Sequence, residues 1–124
     1  MLRISPRFDR PRPATGRGTL ARIYDAAETG WQDGISKLGF VEAYRDLMAQ
    51  CPQPETSQPR VMDVGTGTGA FASAWINAHG APGTLTLTDI SPVMLASASS
   101  RLPGAVPIHA SLGTPMPDVP PQDI

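Results

Sequence analysis

Hydrophobic and polar positions change their period repeatedly along this chain. Leu20, Ile23, Tyr24 and Ala27 recur at helical spacing behind Thr19, a residue suited to capping, so a helix is expected from Thr19 to about Thr29. Gly30 is expected to break it. A second helical run follows from about Ile35 or Ser36 to Gln50, with Leu38, Val41, Tyr44, Leu47 and Met48 on one face and Gly39 weakening its first turns. The period then shortens, and Val61, Met62 and Val64 read as a buried strand. Helical spacing returns from Ala70 to His79, where Phe71, Trp75 and Ile76 are placed to face a sheet, and Gly80 with Pro82-Gly83 stops it. Thr84 to Thr88 (TLTLT) alternates as a strand does and ends at Asp89. A helix carrying Met94 and Leu95 follows and closes at Leu102, before the turn Pro103-Gly104. Ala105 to His109 is the third strand, and Pro107 restricts it to an edge or a strand end. Strands alternating with helices predict an α/β fold, a Rossmann-like parallel sheet with flanking helices.

The first strand runs into the candidate chemistry. Asp63 lies inside that strand, and Gly65, Gly67 and Gly69 then alternate with Thr66 and Thr68 before the next helix opens. Glycine lacks a Cβ and tolerates positive φ, so this turn lets a ligand approach the backbone closely. The N–H groups of the following helix point at the turn, which suits a carboxylate or phosphate. Asp89 follows Gly69 by twenty residues and ends the second strand. An acid there lies beside the glycine turn, where it can accept hydrogen bonds from a ribose diol. Two cofactor classes use such a unit: dinucleotides, and S-adenosyl-L-methionine. The dinucleotide pattern can be traced through Gly67, Gly69 and Ala72. Asp63 counts against it, because a carboxylate near the turn repels a pyrophosphate and attracts an ammonium group.

The segments Asp63-Val64-Gly65-Thr66-Gly67-Thr68-Gly69 and Thr88-Asp89-Ile90-Ser91-Pro92-Val93-Met94-Leu95, with Ala98 beyond, resemble motifs I and II of the class I S-adenosylmethionine-dependent methyltransferases. Ser91 and Pro92 also read simply as a helix N-cap and a first-turn proline. The resemblance implies methyl transfer from S-adenosyl-L-methionine to an acceptor that these residues do not identify. It implies that Asp63 holds the cofactor ammonium, that Gly65, Gly67 and Gly69 admit the backbone, and that Thr66 and Thr68 add contacts. It further implies that Asp89 grips the ribose and that Ile90 covers an adenine face. The family places an acid for the adenine amino group where this chain has Ala110, with Ser111 as a weaker substitute. An aromatic residue on an N-terminal helix lies over the cofactor in many members. Tyr24 and Trp31 fit that role, but aromatic stripes more often serve the plain role of packing helices on the sheet. His109, at a strand end, reads as structural rather than as a base.

Pro121-Gln122-Asp123-Ile124 resembles the start of the family's fourth strand. The expectation is therefore the N-terminal half of a methyltransferase domain, truncated after the third strand, with the first strand left as an edge. Such a half would be inactive alone, or would work with a second chain completing the sheet. Two other readings stay open: an NAD(P)-binding oxidoreductase fragment, and a non-catalytic cofactor-binding subunit. The divisions expected are an Arg/Pro-rich disordered lead-in at 1–18, N-terminal helices at 19–50, a linker at 51–60, and the incomplete cofactor-binding half at 61–124.

Composition adds mostly exclusions. A chain of 124 residues allows one domain at most. Charged residues are 17% and the net charge is −1, which gives no nucleic-acid or membrane signature. The single cysteine, Cys51, rules out an internal disulfide and has no metal-ligand partners in the pattern, so no metal is expected. No apolar run approaches a membrane span and no secretory leader is visible, so a cytoplasmic setting is expected. Five arginines (Arg3, Arg7, Arg10, Arg12 and Arg17) among prolines and glycines account for the expected disorder of the lead-in.

Overall fold

A computed structural model describes residues 14–111, 115 and 118–124 of the chain. Most of the Arg/Pro-rich lead-in lies outside the described residues, as do Leu112–Thr114, Met116 and Pro117. The described elements are α1 (Ala14–Lys37), α2 (Phe40–Gln50), β1 (Arg60–Val64), α3 (Ala70–His79), β2 (Thr84–Asp89), α4 (Pro92–Arg101) and β3 (Val106–His109). The three strands form one parallel sheet in the order β1-β2-β3. This is the α/β, Rossmann-like arrangement that the alternating pattern predicts.

The helices differ from expectation at the N-terminus. One helix runs unbroken from Ala14 through Gly30 to Lys37, and residues 14–18 of the expected lead-in belong to it. Glycine inside a helix costs only about 1 kcal/mol relative to alanine, which tertiary packing readily offsets. The packing is visible on either side of Gly30, where Tyr24 and Trp31 meet edge to face at 5.9 Å. The chain breaks instead at Leu38-Gly39, and Gly39 takes a left-handed φ of 77° just before α2. Phe71 is a second correction: it faces away from the sheet and packs edge to face on Tyr44 of α2 at 5.2 Å.

Packing follows the strand alternation. The buried apolar cluster joins Val61 of β1 and Leu85 and Leu87 of β2 to Ala72 and Trp75 of α3, Leu95 and Ala98 of α4, Leu102 and Met48. Thr86 and Thr88 alternate with those leucines and are also buried. Leu87 is fully buried at the centre of β2, the strand with a partner on each side. Removing such a side chain typically costs about 2–5 kcal/mol. β3 takes the sheet edge, where Pro107 can sit without a ladder N–H.

β1 is not a bare edge. The Met62 N–H donates to the Ile124 carbonyl at 3.0 Å, and the Asp123 and Ile124 N–H groups both approach the Arg60 carbonyl, at 2.8 and 3.3 Å. The Asp123 carboxylate also accepts from the Arg60 N–H at 2.7 Å. Bonds from Ile124 to residues on either side of Val61 are those of a parallel pair. The segment expected to begin a fourth strand is thus seated beside β1. Val64, at the tip of β1, is 49% exposed.

Candidate functional site

The site is built where β1 and β2 end side by side. Val64 pairs with Thr88 as the last rung of the ladder. The Thr88 carbonyl then accepts from both the Gly65 and Thr66 N–H groups at 2.9 Å, which folds the turn back over β2. Gly65, Gly67 and Gly69 all have positive φ. At Gly69 the surroundings also disfavour a side chain, whereas at Gly67 a Cβ would make only ordinary contact. A Cβ on Gly67 would come within 3.4 Å of the Trp31 indole nitrogen, and one on Gly69 would meet Leu102 and Ala98 at 3.0 and 3.3 Å. Gly69 thus lets α3 start hard against α4.

Asp89 is buried and closes the turn from the other side. Its carboxylate accepts from the Gly67 N–H and from the Ser91 N–H, both at 2.8 Å. Ser91 caps α4 by accepting from the Met94 N–H at 3.0 Å. One carboxylate therefore fixes the glycine turn and the following helix cap together. Carboxylate oxygens have lone pairs for further donors after these two bonds.

A cavity of about 420 Å³ opens over this arrangement. Gly65, Gly67 and Val64 line one wall; Thr88, Asp89, Ile90 and Met94 line another; Ala110 and Ser111 lie at the end of β3. Leu20, Tyr24 and Trp31 of α1 cover it. The volume falls in the range of small-molecule and cofactor sites, about 300–1,000 Å³. An apolar and aromatic lining with a single buried acid and exposed backbone suits a flat ring attached to a polar diol. The two aromatic residues that sequence alone left between packing and ligand cover both line the cavity and meet each other edge to face at 5.9 Å.

Of the residues singled out from sequence, the structure brings Gly65, Gly67, Asp89, Ile90 and Ser111 to the cavity. Asp63, Thr66, Thr68 and Gly69 are not part of its lining. Asp63 stands in register with Leu87, hence on the sheet face that α3 covers. Its carboxylate accepts from the Thr66 hydroxyl at 2.8 Å and from the Ala72 N–H in the first turn of α3. Burial raises its pKa above the ordinary aspartate value, the two hydrogen bonds oppose this, and the charge of Asp89 adds to the rise. The acid thus occupies the helix N-terminus that the sequence suggested was open to a ligand. The Thr68 hydroxyl donates to the Gln32 Oε1 of α1 at 2.9 Å. His109 bonds through its Nε2 to the Ile90 carbonyl at 2.8 Å, a structural tie that steadies the loop after Asp89.

Sequence reading missed Leu20, Met94 and Val64 as lining residues, and it missed the tie that Gln32 makes. Leu20 and Met94 gave helical-period signals that mark a core face as readily as a cavity wall. Among the described residues no group of three or more metal-ligating side chains is found. No described helix is long and apolar enough to cross a membrane.

No protein-family model matches the chain, and no curated protein matches it. Among solved structures, the fold is similar to that of a chain in the complex between the Haloferax volcanii Trm112 methyltransferase activator and a candidate methyltransferase, with a TM-score of 0.57 and 24% identity. The match covers 70% of this chain and 38% of that chain. At this identity the likeness is one of fold: a methyltransferase-like, Rossmann-like α/β unit.

Proposed function

We propose that this chain is the cofactor-binding part of a class I S-adenosyl-L-methionine-dependent methyltransferase. The observation that carries the reading is the meeting of a buried acid, a positive-φ glycine turn and two aromatic rings around one cavity. In this reading Asp89 accepts hydrogen bonds from the ribose hydroxyls while keeping its two backbone partners. Gly65 and Gly67 present bare backbone to the cofactor, Ile90 covers one adenine face, and Ser111, next to the Ala110 that replaces the family's adenine-binding acid, is a weaker acceptor. Tyr24 and Trp31 exclude water from above. Asp63, Thr66, Thr68 and Gly69 shape the turn and anchor α3. A bound sulfonium supplies an activated methyl group with a neutral thioether as leaving group, so the residues here need only bind, orient and keep the cavity dry.

The methyl acceptor is not identified by these residues, and whole-enzyme activity is a further proposal. The similar solved chain belongs to a complex with an activator protein. By analogy, a second chain is part of the proposal.

Asp63 faces α3, so its charge does not by itself discriminate against a dinucleotide. The discriminating experiment is a thermal melt by circular dichroism with S-adenosylhomocysteine and, separately, NADH. A ligand at about a hundred times its Kd adds about 2.7 kcal/mol to the stability of the state that binds it. The expected result is a cooperative transition that S-adenosylhomocysteine raises and NADH leaves alone. A midpoint indifferent to S-adenosylhomocysteine, or raised by NADH, overturns the reading.

A further inference from the structure

α1 meets the site through two adjoining stripes. Tyr24 and Trp31 line the cavity, and the residue after each ties α1 to one half of the cradle. Asp25 accepts a short hydrogen bond from the Ser91 hydroxyl. Gln32, seven residues or about two helical turns later, accepts from the Thr68 hydroxyl at 2.9 Å. Ser91 and Thr68 are both essentially fully buried. Each is also joined to the ligand wall. The Ser91 N–H holds one oxygen of Asp89, whose other oxygen holds the Gly67 N–H, and Thr68 directly follows Gly67 in the turn.

We propose that Asp25 and Gln32 are latches, and that α1 is a cover whose closure they set. Resting on the reading of the cavity as a cofactor site, this makes both of them positioning residues. Asp25 acts through Ser91 on Asp89, and Gln32 acts through Thr68 on the glycine turn. When α1 lifts, two buried hydroxyls lose their acceptors together, so opening is disfavoured as a unit and not residue by residue. A ligand beneath Tyr24 and Trp31 leaves only when both latches release. The latches therefore govern dissociation more than association, as is usual for contacts made after encounter.

The test uses the full chain with Asp25→Ala, Gln32→Ala, and the conservative pair Asp25→Asn and Gln32→Glu, each of which keeps an oxygen acceptor. Hydrogen exchange is followed at α1 and at β2 without ligand, and S-adenosylhomocysteine association and dissociation are followed by stopped flow. In the alanine variants α1 should exchange faster while β2 keeps its protection. Dissociation should speed up about fivefold per latch, the worth of one ordinary hydrogen bond, with association nearly unchanged. The conservative variants should restore both readouts. If α1 exchanges at the wild-type rate in both alanine variants, or α1 and β2 loosen together, the latch is refuted whatever the ligand does. If α1 loosens alone but the wild-type chain binds no S-adenosylhomocysteine, the latch stands and the cofactor reading falls.

Discussion

Two aspartates stand at or next to the ends of two neighbouring strands of the same sheet and come to opposite uses. Asp63, on β1, turns to the α3 face and is held by a hydroxyl of the glycine turn and an amide of the α3 first turn. Asp89, on β2, faces the cavity and is held by the amides of Gly67 and Ser91. Both are largely buried carboxylates beside the same glycines. The difference lies one residue along each strand. Asp63 precedes the end of its strand and takes the face dictated by the pleat, while Asp89 is the last residue of β2 and reaches the open end. An acid in a strand–glycine-turn motif is therefore not a ligand group by position in the motif alone. Its place relative to the strand end and to the following helix decides.

The largest effect that would sharpen this contrast comes from Asp89→Ala. It strands the Gly67 and Ser91 amides, at about 1–3 kcal/mol for each. Both the melting temperature and S-adenosylhomocysteine affinity should fall, and calorimetry should find binding weakened beyond detection. Asp89→Asn, which can still accept one amide, should recover part of the stability and little of the affinity. Retained affinity in either variant would place the ligand elsewhere.

Trp31→Ala comes next. Trp31 lies against Gly67 and covers the cavity while staying partly exposed, so its loss should cost less than the 3–5 kcal/mol typical of a fully buried tryptophan. Titration calorimetry should show affinity falling by about tenfold, equivalent to about 1.4 kcal/mol. A stability loss with unchanged affinity would reduce α1 to packing.

Asp63→Asn should act on stability and its pH dependence, leaving affinity close to wild type. The folded-state pKa of Asp63 is raised, chiefly by burial, so the folded chain holds its proton more tightly than the unfolded one. The stabilisation from this group is full below the unfolded value, near 3.8, and is lost as pH rises through the higher folded value. Asparagine does not titrate, so melts between pH 3.5 and 7 should show a smaller decline from this source in the variant than in wild type. A marked loss of S-adenosylhomocysteine binding would instead return Asp63 to the ligand.

Thr66→Val is the smallest of the set. It removes one hydroxyl bond to Asp63 at a buried position, worth about 1 kcal/mol, and should raise the Asp63 pKa further. Carboxyl titration followed by NMR would register that shift, with little change in affinity expected.

Much of this molecule was legible from one sequence. The strand positions, the parallel α/β order, the α3 boundaries, the Ser91 cap and the edge place of Pro107 all follow from local period and local chemistry. So does the pairing of a glycine turn with an acid at the next strand's end. Gly30 misled because an intrinsic cost near 1 kcal/mol is outweighed by contacts that a linear pattern does not display. Phe71 misled because helical spacing marks an apolar face without saying whether a sheet or another helix will cover it.

What the sequence by itself determined is the set of elements and the residue types at their ends, since these depend on backbone sterics and short-range hydrogen bonding. The tertiary structure alone decided which acid meets the cavity, that α1 covers it through Tyr24 and Trp31, and that Asp123 and Ile124 pair with β1. Each of those outcomes is a competition among donors and acceptors far apart in the chain, and only the fold sets which of them come within hydrogen-bonding distance.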